Sequence, residues 1–213
     1  MAPRIKFSKE EIVAAALELA RRNGIEAVTA REVGYRLGVS TRPIFTWFDS
    51  MEQLKADVYD AAKKVYKQYV EEGLSQPIPF LGAGQQWIRF AMEEPELYKL
   101  LFLTKAGESF GGAIEAMNFS RELVRESIMK AYNMDSKAAD KFFRNMWFAS
   151  FSFTTLIVTD NCPYTKEEVV QIMTEMSLSF CMGLKKIKGL ADGTFDRDAV
   201  FRELEKMQVP NSV

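Results

Sequence analysis

Thr41, Arg42, Phe45 and Thr46 recur at the spacing of one helical face, and these are the residues best suited to chemistry in this chain. An arginine on such a face can read a guanine with two hydrogen bonds. A threonine can bond a base edge or pack on a thymine methyl group. That chemistry is recognition of DNA rather than catalysis. The chain has no histidine, which removes every histidine triad, histidine general base and histidine metal site. Glu93 and Glu94 are adjacent, so they do not face one another on a helix. Cys162 precedes a proline and has no histidine to turn it into a thiolate, and its spacing to Cys181 suits neither zinc nor a redox pair. The expectation is a protein with no catalytic site, no metal and no cofactor.

A face of this kind needs a short helix held at a fixed angle. Residues 29–48 read TAREVGYRLGVSTRPIFTWF. They predict two short helices joined by a tight turn at Gly38. Val33, Leu37, Val39, Ile44 and either Trp47 or Phe48 are spaced to bury between them, and Gly34 is small where the helices cross. This is the helix-turn-helix pattern, in which one helix braces and the other enters the major groove. A plain helical hairpin with Gly38 as an ordinary C-cap suits the same twenty residues.

Around that segment the helix starts are legible. Ser8 with Glu11, Thr29 with Glu32, Ser50 with Gln53 and Thr165 with Glu168 each have capping-box spacing. Phe7 with Ile12, Val28 with Val33 and Tyr164 with Val169 add hydrophobic staples. Helices are predicted at 8–23, 30–37, 41–48 and 50–72. After a Gly- and Pro-rich break at 73–79 come 81–93, 95–105, 112–132, 136–159, 166–189 and 196–207. No alternation typical of strands persists, so the fold class is all-α. The fourth helix is predicted to bury Leu54, Val58, Ala61, Val65 and Tyr69.

The order from Ser8 to Leu54 resembles the TetR family of bacterial transcriptional regulators. It runs as a capped helix, a glycine stop, the Thr29-capped helix, the Gly38-Val39-Ser40 turn, an aromatic-rich third helix, and Ser50 opening a long one. The matching residues are Ala15 to Leu19, Gly24, Thr29, Gly38 to Ser40, Ile44, Phe45, Phe48 and Ser50 to Leu54. The resemblance implies a homodimeric repressor that binds a palindromic double-stranded operator and is released by a small molecule. It implies that Thr29 and Arg31 face phosphates, and that Ser40, Thr41, Arg42, Thr46 and Trp47 face bases. Phe45 stands where the family commonly has a tyrosine, and Met51 where many members have a lysine. Both departures remove phosphate anchors, and Lys55, one turn on, is the candidate substitute. The implied division is a DNA-binding domain at 6–66 and a ligand-binding and dimerisation domain at 67–213. A regulator of the same fold governed by a protein partner, with no small ligand, is the alternative.

The stretch from Trp87 to Phe102 is similar to a segment of one group of TetR regulatory domains. Phe142 to Ile157 is apolar nearly all round, which suits a helix buried on two sides. With the helix at 166–189 it would form the four-helix dimer interface that the resemblance implies. Eleven methionines and sixteen phenylalanines can line an adaptable apolar pocket or simply fill a core. The candidate pocket residues are Trp87, Phe90, Tyr98, Phe102, Met117, Trp147 and Phe151, for a small hydrophobic or aromatic effector.

Charge and length bound the rest. There are 28 basic and 29 acidic residues, which excludes a uniformly basic nucleic-acid wrapper but not a local basic face. Residues 1–50 hold eight basic and six acidic side chains, an asymmetry of the expected sign. Arg4, Lys6 and Lys9 precede or open the first helix, where they either touch backbone phosphates or form a frayed terminus. No charge-free run reaches the roughly 20 apolar residues that span a bilayer. The charged first eleven residues do not read as a signal peptide. The expectation is a cytoplasmic protein with no membrane segment.

Overall fold

The computed structural model describes residues 7–107 and 110–208. Arg4 and Lys6 lie outside them. The elements are α1 (Lys9–Asn23), α2 (Ala30–Leu37), α3 (Ile44–Trp47), α4 (Met51–Leu74), α5 (Pro79–Glu93), α6 (Pro95–Tyr98), α7 (Gly112–Tyr132), α8 (Ser136–Val158), α9 (Lys166–Lys186) and α10 (Arg197–Leu204). Among the described residues there is no strand, so the fold is all-α. No helix among them is long and apolar enough to cross a membrane.

The caps explain why these helices start where they do. Ser8 and Thr165 form complete capping boxes with Glu11 and Glu168. Thr29 and Ser50 accept from the backbone of Glu32 and Gln53. The Gln53 side chain reaches the amide of Asp49, one residue before the cap. Asp135 and Asp196 cap α8 and α10. α9 and α10 each end three residues earlier than predicted, and two further elements depart in kind. The third helix begins at Ile44 rather than Thr41. Pro43 disfavours α geometry at Arg42, so residues 41–43 form a turn in which the Ile44 amide reaches back to Thr41. The helix expected over 95–105 widens after Tyr98 into a π-helical turn at Lys99–Leu103, where the Thr104 amide bonds the Lys99 carbonyl.

α4 is the spine. Near its start it packs on α1, and further along on α5 and α7. Its buried side chains are Leu54, Val58, Tyr59, Ala62, Tyr66 and Val70. The expected stripe held only as far as Val58. Beyond it the buried face rotates by about one position, because different neighbours cover the two halves of the helix. Ala61, Val65 and Tyr69 are half-buried.

Tyr66 sits among Trp87, Phe90, Phe102 and Phe119, with ring centroids 5.3–6.4 Å away. The hydroxyl protons in this cluster can be assigned. Ser120 donates to the Ala116 carbonyl at 2.7 Å, so the Tyr66 hydroxyl donates to Ser120 at 2.9 Å. Thr154 donates to the Ser150 carbonyl and therefore accepts from both Trp87 Nε1 (3.2 Å) and the Tyr98 hydroxyl (2.6 Å). Every buried donor in this group has an acceptor, as a low-dielectric interior requires.

α5 crosses α4 at backbone contact. A Cβ on Gly73 would lie 2.5 Å from the Ala83 amide nitrogen, and one on Gly82 would lie 2.2 Å from the Gly73 carbonyl oxygen. The headpiece is held to the same region by charge. Arg21 of α1 bonds Glu94, between α5 and α6, at 2.8 Å, and Glu18 at 2.5 Å. Burial pushes the Glu94 carboxyl above its ordinary range, and the Arg21 guanidinium opposes that shift.

The crossing gives a paired expectation for stability. Gly73→Ala gains helix propensity but forces the two backbones apart, for a net loss of roughly 1–3 kcal/mol. Gly84→Ala, on the same helix α5, meets nothing within 4 Å. It should stabilise by about 0.5–1 kcal/mol. Urea unfolding of both variants checks this; a Gly73→Ala protein as stable as wild type would mean the crossing is loose.

Candidate nucleic-acid interface and ligand cavity

The headpiece is built by one turn. Gly38 adopts φ 65, the left-handed conformation, and the Val39 amide bonds the Gly34 carbonyl at 2.9 Å. This six-residue closure ends α2 and reverses the chain. A Cβ on Gly34 would lie 3.0 Å from the Val39 carbonyl oxygen, so the turn folds directly over it. Val28, Val33, Ile44 and Phe48 are buried beneath, and Phe48 rather than Trp47 fills the inner position.

The opposite face carries the residues expected to meet DNA. Ser40, Thr41, Arg42, Phe45, Thr46 and Trp47 are all exposed. Arg42 has no ion-pair or hydrogen-bond partner among the described residues, so its guanidinium is free to bind. The Thr46 hydroxyl donates to the Arg42 carbonyl at 3.2 Å, which leaves it an acceptor. Trp47 donates its indole N–H to the Phe7 carbonyl at 3.0 Å, tying α3 to the entry of α1. Its ring alone remains for contact with DNA.

The phosphate-facing candidates lie beside this face. Thr29 and Arg31 are exposed at the start of α2, and the Thr29 oxygen is occupied as a cap while its proton is not. Lys55 Nζ lies 3.3 Å from Glu26, and Met51 is half-buried against the core. Tyr35 was not singled out from the sequence, yet it is the most exposed aromatic of the headpiece at 84%. The signal for it was its place on α2 opposite Val33 and Leu37.

A cavity of about 240 Å³ lies in the C-terminal part, between α5, α7, α8, α9 and the distal half of α4. Trp87 and Trp147 stand in its wall. Phe90, Tyr98 and Phe102 are packed in the aromatic core around Tyr66 and Trp87 rather than on the cavity. Phe151 stacks on Trp147 at 4.9 Å, outside the lining. Met117 faces a separate polar hollow beside Arg121, Asp140 and Lys141. The wall also takes Ile78, Phe80, Ala83 and Ile88 from α5 and the residue before it, and Tyr132, Met146 and Met173 from the later helices. The run from Gly73 to Ile88 contains no charge, and that was the sequence signal for the α5 side.

No charged side chain lines the cavity among the described residues. Its hydroxyl protons are largely committed. Ser150 donates to the Trp147 carbonyl, Thr174 to the Val170 carbonyl and Ser120 to the Ala116 carbonyl. Trp147 Nε1 is buried with no partner. Among the described residues no group of acidic or cysteine side chains is arranged to hold a metal.

A turn-linked pair of helices with a free arginine on its outer face, braced by α1, defines a helix-turn-helix DNA-binding protein. Residues 12–58, from α1 into α4, match the sequence profile of the bacterial regulatory proteins of the tetR family. Through this segment, 47 of its 213 residues, the chain resembles the DNA-binding part of the TetR family of transcriptional regulators. Two solved structures share the fold. A transcriptional regulator from Rhodococcus sp. Rha1 is 14% identical with a TM-score of 0.57, over 83% of this chain and 97% of that one. The fatty acid degradation regulator FadR from Bacillus halodurans is 12% identical with a TM-score of 0.51, over 83% and 95%. At these identities the likeness is one of architecture alone. No curated protein matches the chain.

Arg42→Ala is expected to weaken binding to the preferred DNA sequence by roughly 1–3 kcal/mol and to relax the preference at one base pair. Binding selection with randomised duplexes, followed by titration of the selected and a scrambled site, measures both. Equal losses on the two sites would make Arg42 a phosphate contact.

Proposed function

We propose that the protein is a ligand-responsive repressor that binds a palindromic operator as a homodimer and is released by a small apolar effector. In this reading residues 6–66 bind DNA, and residues 67–213 hold the effector and the dimer contact. The observation that carries it is that one helix belongs to both sites. Leu54 and Val58 of α4 are in the headpiece core, while Tyr66 and Val70 of the same helix line the cavity. The two are separated by roughly 18 Å of helix at 1.5 Å per residue. Ser50 caps α4 two residues after Phe48, so a tilt of α4 carries α3 with it.

The DNA side of the proposal rests on Thr29, Arg31, Ser40, Thr41, Arg42, Phe45, Thr46, Trp47 and Lys55, with Arg42 the chief base reader. The dimer contact is assigned to α8 and α9. Phe148 and Leu156 of α8 and Leu178 and Met182 of α9 are exposed in the single chain. Of the 21 residues of α9 only Val169 is fully buried. An apolar helix pair left this open is suited to pairing with its own copy by two-fold symmetry. The presence of the cavity favours a small effector over control by a protein partner.

A ligand acts here by preferring one setting of α4 over another, and it shifts the population only by that difference in affinity. Linkage then makes the coupling reciprocal. Effector titrations with and without operator should give affinities that differ by the same factor by which effector lowers operator affinity. Identical effector affinities in the two titrations would remove ligand control. The dimer is tested separately. Light scattering at micromolar concentration should give a dimer that selects sites with half-sites roughly 34–36 Å apart. The double variant Leu156→Glu, Met182→Glu should be monomeric and lose operator binding. A monomeric wild-type protein would sink the palindrome.

A further inference from the structure

Gly84 lies inside α5 without a structural reason to be glycine. Its φ is not positive, and a Cβ placed on it meets no atom within 4 Å. This sets it apart from Gly73 and Gly82, where a side chain would strike backbone. An interior helical glycine carries a conformational cost relative to alanine. What Gly84 leaves in exchange is space, and that space is part of the cavity wall.

We propose that Gly84 sets the size limit of the effector, and that the effector is an uncharged, predominantly apolar molecule of about two fused rings. This rests on the reading of the cavity as the effector site. Size follows from volume. A cavity of roughly 150 Å³ holds a benzene ring, and this one is about 240 Å³. Charge follows from the wall. An anion needs several donors or a cation; the hydroxyls of Ser120, Ser150 and Thr174 have given their protons to helix carbonyls, the Tyr66 proton goes to Ser120, and the unpartnered Trp147 Nε1 offers a single neutral N–H, which suits a hydroxyl or carbonyl oxygen. Among the described residues no lysine or arginine lines the space, so a carboxylate entering it loses its hydration for at most one neutral N–H. A cation finds no carboxylate there. Trp87, Trp147, Phe80 and Phe143 offer ring surface, which suits an aromatic or alicyclic ligand.

The test uses three probes of equal bulk and different charge: 2-naphthol, 2-naphthoate and N-methylquinolinium. The full-length protein is titrated with each, following tryptophan fluorescence, because Trp87 and Trp147 stand in the wall. Naphthol should bind at least tenfold more tightly than either ion. In Gly84→Leu, naphthol affinity should fall at least tenfold while phenol, a single ring, still binds. A thermal melt establishes that Gly84→Leu is folded. Should it not be, Gly84→Ala serves, with naphthol expected to weaken at least threefold. Tighter binding of either ion overturns the charge assignment. Unchanged naphthol affinity in a folded Gly84 variant overturns the role of Gly84. Selective naphthol binding that leaves operator affinity untouched would instead refute control of DNA binding through this cavity, and would leave the ligand class standing.

Discussion

The contact on which the rest depends is the crossing of α4 and α5 at Gly73 and Gly82. Side chains cannot mediate it, because the two backbones already touch. With the helices this close, Ala83 and Trp87 of α5 are buried in the same layer as Tyr66 and Val70 of α4. The aromatic cluster then closes over Tyr66, and the later helices pack on what remains. A crossing held by side chains would stand further apart and leave the cluster without its neighbours. Backbone contact also makes the joint stiff, since close-packed interiors transmit displacement rather than absorb it. α4 therefore links the cavity to the turn at Ser50 as a single rigid element.

The two ends of that element differ in kind. The headpiece is small and densely tied: Trp47 to Phe7, Thr29 and Ser50 as caps, and the Gly34 carbonyl closing the turn. Its outer face mixes Thr41, Arg42 and Thr46 with the exposed rings of Phe45 and Trp47, and Arg42 is unpaired among the described residues. The C-terminal part is larger and keeps a void in an apolar setting, while α8 and α9 leave apolar side chains uncovered. A tightly built headpiece and a looser body with room inside suit the ligand-responsive function proposed above. The Arg21–Glu94 bond adds a second tie between the two parts, independent of α4.

Much of this was legible beforehand. The helix starts were, because a cap involves residues three apart and needs nothing from the rest of the chain. Ser8 and Thr165 formed full boxes, and at Ser50 the glutamine moved one residue outward to Asp49. The headpiece was legible for the same reason, since its turn, brace and outer face occupy twenty consecutive residues. The stripe of α4 was legible only up to Val58. A periodic pattern records that one side of a helix is covered, and here two different partners cover two halves of it. The early end of α3 followed from Pro43, whose effect on Arg42 reached further than its tolerance in a first turn suggested.

The sequence by itself determined that the protein is helical, where most helices begin, and that residues 29–48 form two short helices joined by a tight turn. These rest on hydrogen bonds and periodicity that act over a few residues. Only the tertiary structure decided which aromatics pack solidly and which border a space. Trp87 and Tyr98 both donate to Thr154, from 67 and 56 residues away. Yet Trp87 also borders the cavity and Tyr98 does not. Nothing within either local segment separates them, because a void is a property of how five helices meet. The same holds for the glycines of α4 and α5. Gly73, Gly82 and Gly84 are alike as letters, and only the distance to the opposing backbone shows that two permit contact and the third leaves room.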